Sequence, residues 1–365
     1  MKVLKKKVLI VDDSALVRRF LSKIIESLNS EIDTAKNATE AIKKALSNKY
    51  DLITLDMELP DKNGLEVIKE VMEKKPTRIL VISAYTTEDS DLTLQALELG
   101  ALGFITKPTT FGASIQQIEE EIKQKIQEII NVPKFKILIN REKAKRNRQN
   151  FESIDKIQIT DYSANEDMKY ILIGASTGGP RLIEKIAKTL PENYPYPICV
   201  VQHMPQNFTK KFAERLNSIS KLNVVEANNG EEIIKGKMII GKGGWHLHFS
   251  KRKIDKAIIC KLAPNTKNRF FVPSVDEMFF SALEVIDPKK LVAILLTGIG
   301  DDGADGMVAL KKAGAYTIAE SEETAVVYGM PKEAYLRGGA TKVLPFPEIL
   351  EEILKLGAKN GFQKI

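Results

Sequence analysis

The stretch KYILIGASTGGP, residues 169–180, decides how the larger part of this chain is read. The apolar run 170–173 has the length and content of a buried strand, Pro180 suits the first turn of a helix, and the amphipathic RLIEKIAKTL follows. Ser176 and Thr177 therefore fall on a strand-to-helix turn. In a parallel sheet such turns gather at the carboxyl edge, where the next helix offers free N–H groups and the positive end of its dipole. Those groups suit a capping side chain and equally suit a developing oxyanion, so Ser176 reads either as a cap or as a nucleophile.

Downstream of this turn, apolar runs and helical patterns alternate through ICVVQH, FTKKFAERLNSI, NVVEA, KMIIGKGG, WHLHFSK, a helix over 275–285, LVAILLTG, MVALKKAG, AYTIA and EILEEILKLG. This predicts an open, doubly wound α/β sheet, Rossmann-like, spanning 168–357. Between Lys237 and Leu262 alternation replaces helical periodicity, which predicts a small antiparallel hairpin on the sheet's edge. The chain has three histidines. His203 ends a strand, and His246 and His248 share one face of another, where structural or substrate-lining roles fit better than a metal site lacking a third ligand. Acyl transfer needs a nucleophile, a base and an orienting acid, and Ser176, His203 and one acid of the loop GIGDDGADG, 298–306, supply one of each at separate strand ends. The turn GASTGG departs from the G-x-G-x-x-G dinucleotide pattern, and the acidic loop departs from the spacing of a calcium-binding EF-hand.

Upstream, five apolar runs at 8–11, 32–35, 52–55, 79–82 and 103–105 alternate with helical patterns, predicting a second parallel sheet, flavodoxin-like, over 1–125. Asn37, Asn63 and Thr86 are the expected helix caps. Asp12 and Asp13 follow the first strand, Asp56 the third, Ser83 the fourth, and Lys107 the fifth, directly before Pro108. Three converging carboxylates repel unless a cation joins them, and hard oxygen ligands favour Mg²⁺. A carboxylate beside that ion and a lysine is suited to attack a phosphoryl group, which makes Asp56 the candidate nucleophile of this half.

Between the two halves, a helical period over 112–130 leads to Pro133 and then to a polar, basic stretch. Residues 134–149 carry Lys134, Lys136, Arg141, Lys143, Lys145, Arg146 and Arg148 against Glu142 alone, so much of the net charge of +7 is local to a solvated linker. We expect a helical extension and linker over 126–167 and a short tail over 358–365. No run approaches the roughly 20 apolar residues of a membrane span and the first residues lack a signal-peptide pattern, so the expectation is a cytoplasmic protein with no membrane insertion. Cys199 and Cys260 lie in apolar runs and read as core residues.

The acidic pair, the phosphoacceptor, the hydroxyl residue and the lysine before proline together resemble a receiver domain of two-component signalling. That resemblance implies phosphorylation of Asp56, Mg²⁺ bound by Asp13 and Asp56 with help from Asp12 and the backbone carbonyl of Glu58, and a switch involving Ser83, Phe104 and Lys107. Phe104 stands where some receivers have tyrosine, so no step uses a ring hydroxyl there. The segments GASTGGP, VVQHMP, PSVDEMFFSA, LLTGIGDDGADGM and YGMPKEA resemble, in order, the CheB family of chemotaxis protein-glutamate methylesterases/protein-glutamine glutaminases. The resemblance implies Ser176 as nucleophile, His203 as base, Asp302 rather than Asp301 as orienting acid, and Thr177 in support. It further implies a cofactor-free ester hydrolysis on chemoreceptors, a histidine kinase as phosphodonor, location at chemoreceptor clusters, a monomer, and a receiver that restrains the hydrolase until Asp56 is phosphorylated. GKGG at 241–244 departs from the family's common APGG. A response regulator with a DNA-binding or non-catalytic output is the alternative; a nucleic-acid partner is not expected, because that output would be a small helical module rather than a large α/β sheet.

Overall fold

Short apolar runs separated by amphipathic segments bury both faces of a parallel sheet beneath helices, and the chain does this twice. The computed structural model describes residues 5–83, 87–107, 115–133 and 169–358, within two units, Met1–Asn147 and Arg148–Ile365.

In the first unit the elements are β1 (Lys7–Val11), α1 (Ala15–Ser27), β2 (Glu31–Ala35), α2 (Ala38–Ser47), β3 (Leu52–Asp56), α3 (Gly64–Lys74), β4 (Ile79–Ser83), α4 (Thr87–Leu99), β5 (Gly103–Thr106) and α5 (Ile115–Asn131). The sheet is wholly parallel, in the order β2-β1-β3-β4-β5. Asn37 Oδ1 accepts from the Glu40 N–H at 2.8 Å and Asn63 Oδ1 from the Leu65 N–H at 2.9 Å, so both asparagines cap the helices that follow them. The Thr86 cap, residues 112–114 of the expected fifth helix, Pro108 and the basic linker lie outside the described residues. Helix α5 runs beyond residue 125 to Asn131, and the buried Arg78 explains where it stops. Its Nε donates to the Val132 carbonyl at 2.7 Å, satisfying a group that a helix end leaves open, while Nη1 reaches the Asp51 carbonyl at 3.0 Å.

In the second unit follow β6 (Tyr170–Ala175), α6 (Gly179–Thr189), β7 (Ile198–Gln202), α7 (Gln206–Ile219), β8 (Asn223–Glu226), β9 (Lys237–Ile240), β10 (His246–Lys251), β11 (Ile258–Ala263), α8 (Val275–Val285), β12 (Leu291–Leu295), α9 (Ala304–Lys312), β13 (Tyr316–Glu320), α10 (Met330–Leu336), β14 (Lys342–Leu344) and α11 (Phe346–Gly357). Seven strands form a parallel sheet in the order β14-β13-β12-β6-β7-β9-β8. Every residue of β6, β7 and β12 is buried, as expected of central strands covered on both faces. Leu172, Cys199, Val201, Phe279, Leu295 and Met307 share one core, where each large apolar side chain contributes roughly 1.5–3 kcal/mol by leaving water. Both cysteines are buried and free, as read from their apolar runs.

The antiparallel hairpin is present but differs in extent and place. It consists of β10 and β11 alone, as a separate two-stranded sheet, while β9 sits in the parallel sheet between β7 and β8. The burial patterns give the reason. The KMII segment is apolar on both faces and belongs inside a covered sheet, whereas the partly exposed β10 and β11 tolerate a marginal position. Among the described residues no helix is long and apolar enough to cross a membrane.

Candidate active site

Strand order brings the chemistry of the second unit together. Central β6 lies between β12 and β7, so the segments after these three strands open side by side at one carboxyl edge. Ala175 is in register with Gln202 and Gly174 with Leu295, which places Ser176 beside both His203 and Thr297. The chain leaves β6 toward β7 and later returns to β12 on its other side, the topological switch at which open α/β sheets place their sites.

The turn after β6 is rigidly held. The Ser176 N–H donates to the Thr297 carbonyl at 3.0 Å, the His203 N–H to the Ala175 carbonyl at 3.0 Å, and the Gly179 N–H to the Ser176 carbonyl at 2.9 Å. Buried Gln202 clamps the same turn, its Nε2 donating to the carbonyls of Ser176 at 2.9 Å and His203 at 3.3 Å. Thr297, itself fixed through its N–H by the buried Glu320, donates its hydroxyl to the Thr177 carbonyl at 2.9 Å. The capping reading of Ser176 does not survive: α6 is capped by Gly178, without any side-chain bond. Gly178 has φ of 84°, in the left-handed region, and this turn frees the Ser176 side chain from the helix end. Gly298 presses against that side chain from β12's loop, where a Cβ would stand 2.8 Å from the Ser176 Cβ and 2.2 Å from the Met330 sulfur.

Across the edge, His203 Nε2 meets Asp302 Oδ2 at 2.8 Å. Its Nδ1 is buried and has no hydrogen-bond partner among the described residues, and its ring lies flat on Phe271, centroids 4.0 Å apart and planes 9° from parallel. Asp302 occupies the amino-terminal end of α8. Oδ1 accepts the Ser274 hydroxyl at 2.7 Å and the Asp276 N–H at 3.1 Å, and Oδ2 accepts the Val275 N–H at 2.7 Å. Burial works to raise the Asp302 carboxyl, but the bond and charge of His203 and the Ser274 and Val275 donors outweigh it and hold the group below its ordinary value. Asp301 points elsewhere, its largely exposed side chain 2.5 Å from Arg337. His246 lies behind Ser274, with Nδ1 accepting the Ser274 N–H at 3.1 Å and Nε2 facing Asn265 Oδ1 at 3.2 Å. His248 instead faces Glu277 at 3.4 Å. Lys242, the odd residue of GKGG, sits 3.8 Å from Glu226 within the same unit.

At the corresponding edge of the first unit, Asp12, Asp13 and Asp56 each bring a carboxylate oxygen within 4.8 Å of the others. Lys107 Nζ lies 2.6 Å from Asp56 Oδ2 and 3.0 Å from Asp12 Oδ2. Burial, with the charge of Asp12 adding to it, pushes the Asp56 carboxyl up to about 6 even against the bond from Lys107. The Asp12 Oδ2, although close to Lys107, lacks a hydrogen bond of proper geometry. One ammonium for three carboxylates leaves negative charge uncompensated, so this donor set fits a divalent cation. Arg18 donates to the Asp12 and Asp13 carbonyls at 2.7 and 2.8 Å, aiming the acid pair. The Glu58 N–H donates to Asp56 Oδ1 at 3.3 Å. Phe104 is buried, with its carbonyl accepting Lys125 Nζ at 2.6 Å, and Ser83 ends β4.

Sequence reasoning did not single out Gln202, Phe271, Ser274, Thr297 or Arg18. Gln202, Ser274 and Thr297 carried a signal, lying inside the family-like segments VVQHMP, PSVDEMFFSA and LLTGIGDDGADGM; Phe271 and Arg18 carried none.

A family model for CheB methylesterase matches residues 171–353, and one for the response regulator receiver domain matches residues 8–119. A Carboxydothermus hydrogenoformans protein named protein-glutamate methylesterase/protein-glutamine glutaminase 2 is 42% identical over 356 residues, covering 96% of this chain and 99% of its own. A Thermotoga maritima protein of the same name, without the number, is 38% identical over 353 residues, covering 96% of this chain and 98% of its own. The crystal structure of the Thermotoga maritima CheB methylesterase catalytic domain is 42% identical with a TM-score of 0.49, covering 52% of this chain and 98% of that one.

Proposed function

The chain belongs to the CheB methylesterase family, with a receiver domain ahead of the catalytic domain, and from that premise we propose that it hydrolyses glutamate γ-methyl esters on chemoreceptors, releasing methanol, under control of phosphorylation at Asp56. The same acyl-enzyme route deamidates receptor glutamines, with ammonia leaving in place of methanol. The receiver (1–125, with its helical extension) and the hydrolase (168–357) are joined by the basic linker.

The observation that carries this reading is the orientation of His203. Its Nε2 is held by Asp302 at 2.8 Å while Nδ1, at the strand end beside Ser176, has no hydrogen-bond partner among the described residues. Nδ1 is therefore the base atom. It takes the Ser176 Oγ proton as Oγ bonds to the ester carbonyl carbon. The imidazolium that results is stabilised by Asp302, whose depressed carboxyl remains ionised, and it returns the proton to the departing methoxide. Water then clears the acyl-enzyme by the same proton relay. With the Ser176, Gly179 and Gly298 N–H groups bound to carbonyls, the N–H groups of Thr177 and Gly178 and those of Ile299 and Gly300 in the adjoining loop are the candidates for holding the oxyanion. Thr177 supports the nucleophile through its backbone, fixed by Thr297. The hydrolase uses no cofactor.

In the receiver, Asp13 and Asp56, with the Glu58 carbonyl and Asp12 through water, would hold Mg²⁺. That ion, when bound, neutralises phosphoryl oxygens. Asp56 accepts the phosphoryl group, Lys107 stabilises the modified carboxylate, and Ser83 and Phe104 carry the switch. The phosphodonor is the chemotaxis histidine kinase. We place the protein in the cytoplasm at receptor clusters, acting as a monomer. The test is methanol release from methyl-labelled receptor membranes with and without a small phosphodonor. We expect release that the phosphodonor increases; no release under either condition would sink the reading.

A further inference from the structure

We propose that Asp276 is a positioning residue for this hydrolysis: wedged between the first turns of α8 and α9, it fixes the Asp302 carboxylate against His203 and adds a second negative charge behind the imidazole. The inference rests on the proposed triad. One residue pins the triad acid from two directions. The Asp276 N–H donates to Asp302 Oδ1 at 3.1 Å, while its own Oδ1 accepts the Gly306 N–H at 2.7 Å from the helix that begins just after Asp302. The fit is close, since a Cβ on Gly306 would stand 3.1 Å from that oxygen and 2.7 Å from the Phe279 Cβ.

An amide or hydroxyl could accept the Gly306 bond without electrostatic cost. An acid cannot, because Asp276 is buried beside another carboxylate. Burial first, and the charge of Asp302 next, push its carboxyl up to about 7. Asp305 on α9 adds further repulsion, and Arg269, from the segment before α8, provides the opposing attraction. Arg269 is shared with Glu277 at 3.0 Å. The group thus ionises where a histidine base works, and its charge favours the imidazolium formed during proton transfer. As pH rises through about 7, Asp276 becomes anionic and the proton transfer gains from it.

The test uses the full chain and methanol release across roughly pH 5.5 to 9, with thermal unfolding of each variant as the folding control. Asp276→Ala, losing both bond and charge, should lower kcat about tenfold or more with KM within about twofold. Asp276→Asn keeps the acceptor and removes only the charge. It should move the acid limb of kcat/KM to lower pH and cost roughly threefold or more of the alkaline plateau. An Asp276→Asn profile superimposable on the parent overturns the proposal. Should that variant not fold, the parent profile decides: an acid limb steeper than one ionisation supports the proposal, and a single ionisation overturns it. Ser176→Ala run alongside separates the two ideas, because continued methanol release there refutes the triad itself, whereas its loss with an unchanged Asp276→Asn profile refutes only the role of Asp276.

Discussion

Two aspartates largely shielded from water, each near the carboxyl end of a strand in a parallel sheet, are driven in opposite directions. Asp56 is pushed up to about 6, whereas Asp302 is held below its ordinary value. Burial is the first influence on both and raises both; the donors decide the outcome. Asp302 receives the Ser274 hydroxyl, two backbone N–H groups at a helix start and the His203 ring. Asp56 has one lysine and one long backbone bond, and shares its edge with Asp12 and Asp13. The carboxylate proposed to stay ionised through turnover carries its own solvation. The one proposed to receive a phosphoryl group and a cation is left under-compensated without them.

That contrast sets an order of effects. Removing the base by His203→Ala should cost about 10⁶ in turnover, because the residues of a triad act as a unit. Asp302→Asn leaves the shape but supplies an amide where the ring needs an acceptor, and should cost on the order of 10⁴ in kcat with little change in KM. Both are read by initial rates of methanol release, and losses under tenfold in either would break the account of the catalytic edge. Next comes Ser274→Ala. It deletes a donor to Asp302 and the cap of α8, so we expect about 1 kcal/mol lower stability in denaturant unfolding together with several-fold lower kcat.

The smallest effects test the sign of the two shifts. With its folded value above the usual 3.8, Asp56 binds a proton more tightly folded than unfolded, so in a chelating buffer its contribution is present below about pH 4 and lost as pH rises to about 6, at most about 3 kcal/mol. Asp56→Asn should therefore stabilise the metal-free receiver near pH 7, and Mg²⁺ should narrow the gap by stabilising the parent alone. Asp302 runs the other way: its contribution is present above the ordinary carboxylate range and is lost as pH falls below about 4. Unfolding curves against pH that show the same sign for Asp56→Asn and Asp302→Asn would contradict the comparison.

Much of this was legible in the chain because strand ends are local. The runs before Asp12, Asp56, Ser176 and His203 announce buried strands, and the residue that ends or follows each must stand at the edge. What was hidden is nonlocal. The helix that solvates Asp302 begins 27 residues earlier, at Val275, and no period in the sequence ties the two. The stacking of Phe271 on His203 and the clamp of Gln202 likewise depend on packing that local pattern does not encode. The hairpin was placed too broadly for the same reason: alternation marks extended chain, but whether KMII joins a buried sheet or an exposed ribbon depends on which strands lie beside it.

The central claim is that the serine on the turn after β6 performs the hydrolysis, and one measurement addresses it most directly. Methyl-labelled receptor membranes are incubated with the parent chain or with Ser176→Ala, each with a small phosphodonor, and methanol is counted. The account predicts release by the parent and a loss of roughly 10⁶ in the variant, to background. Release by Ser176→Ala at a rate near the parent's would contradict it.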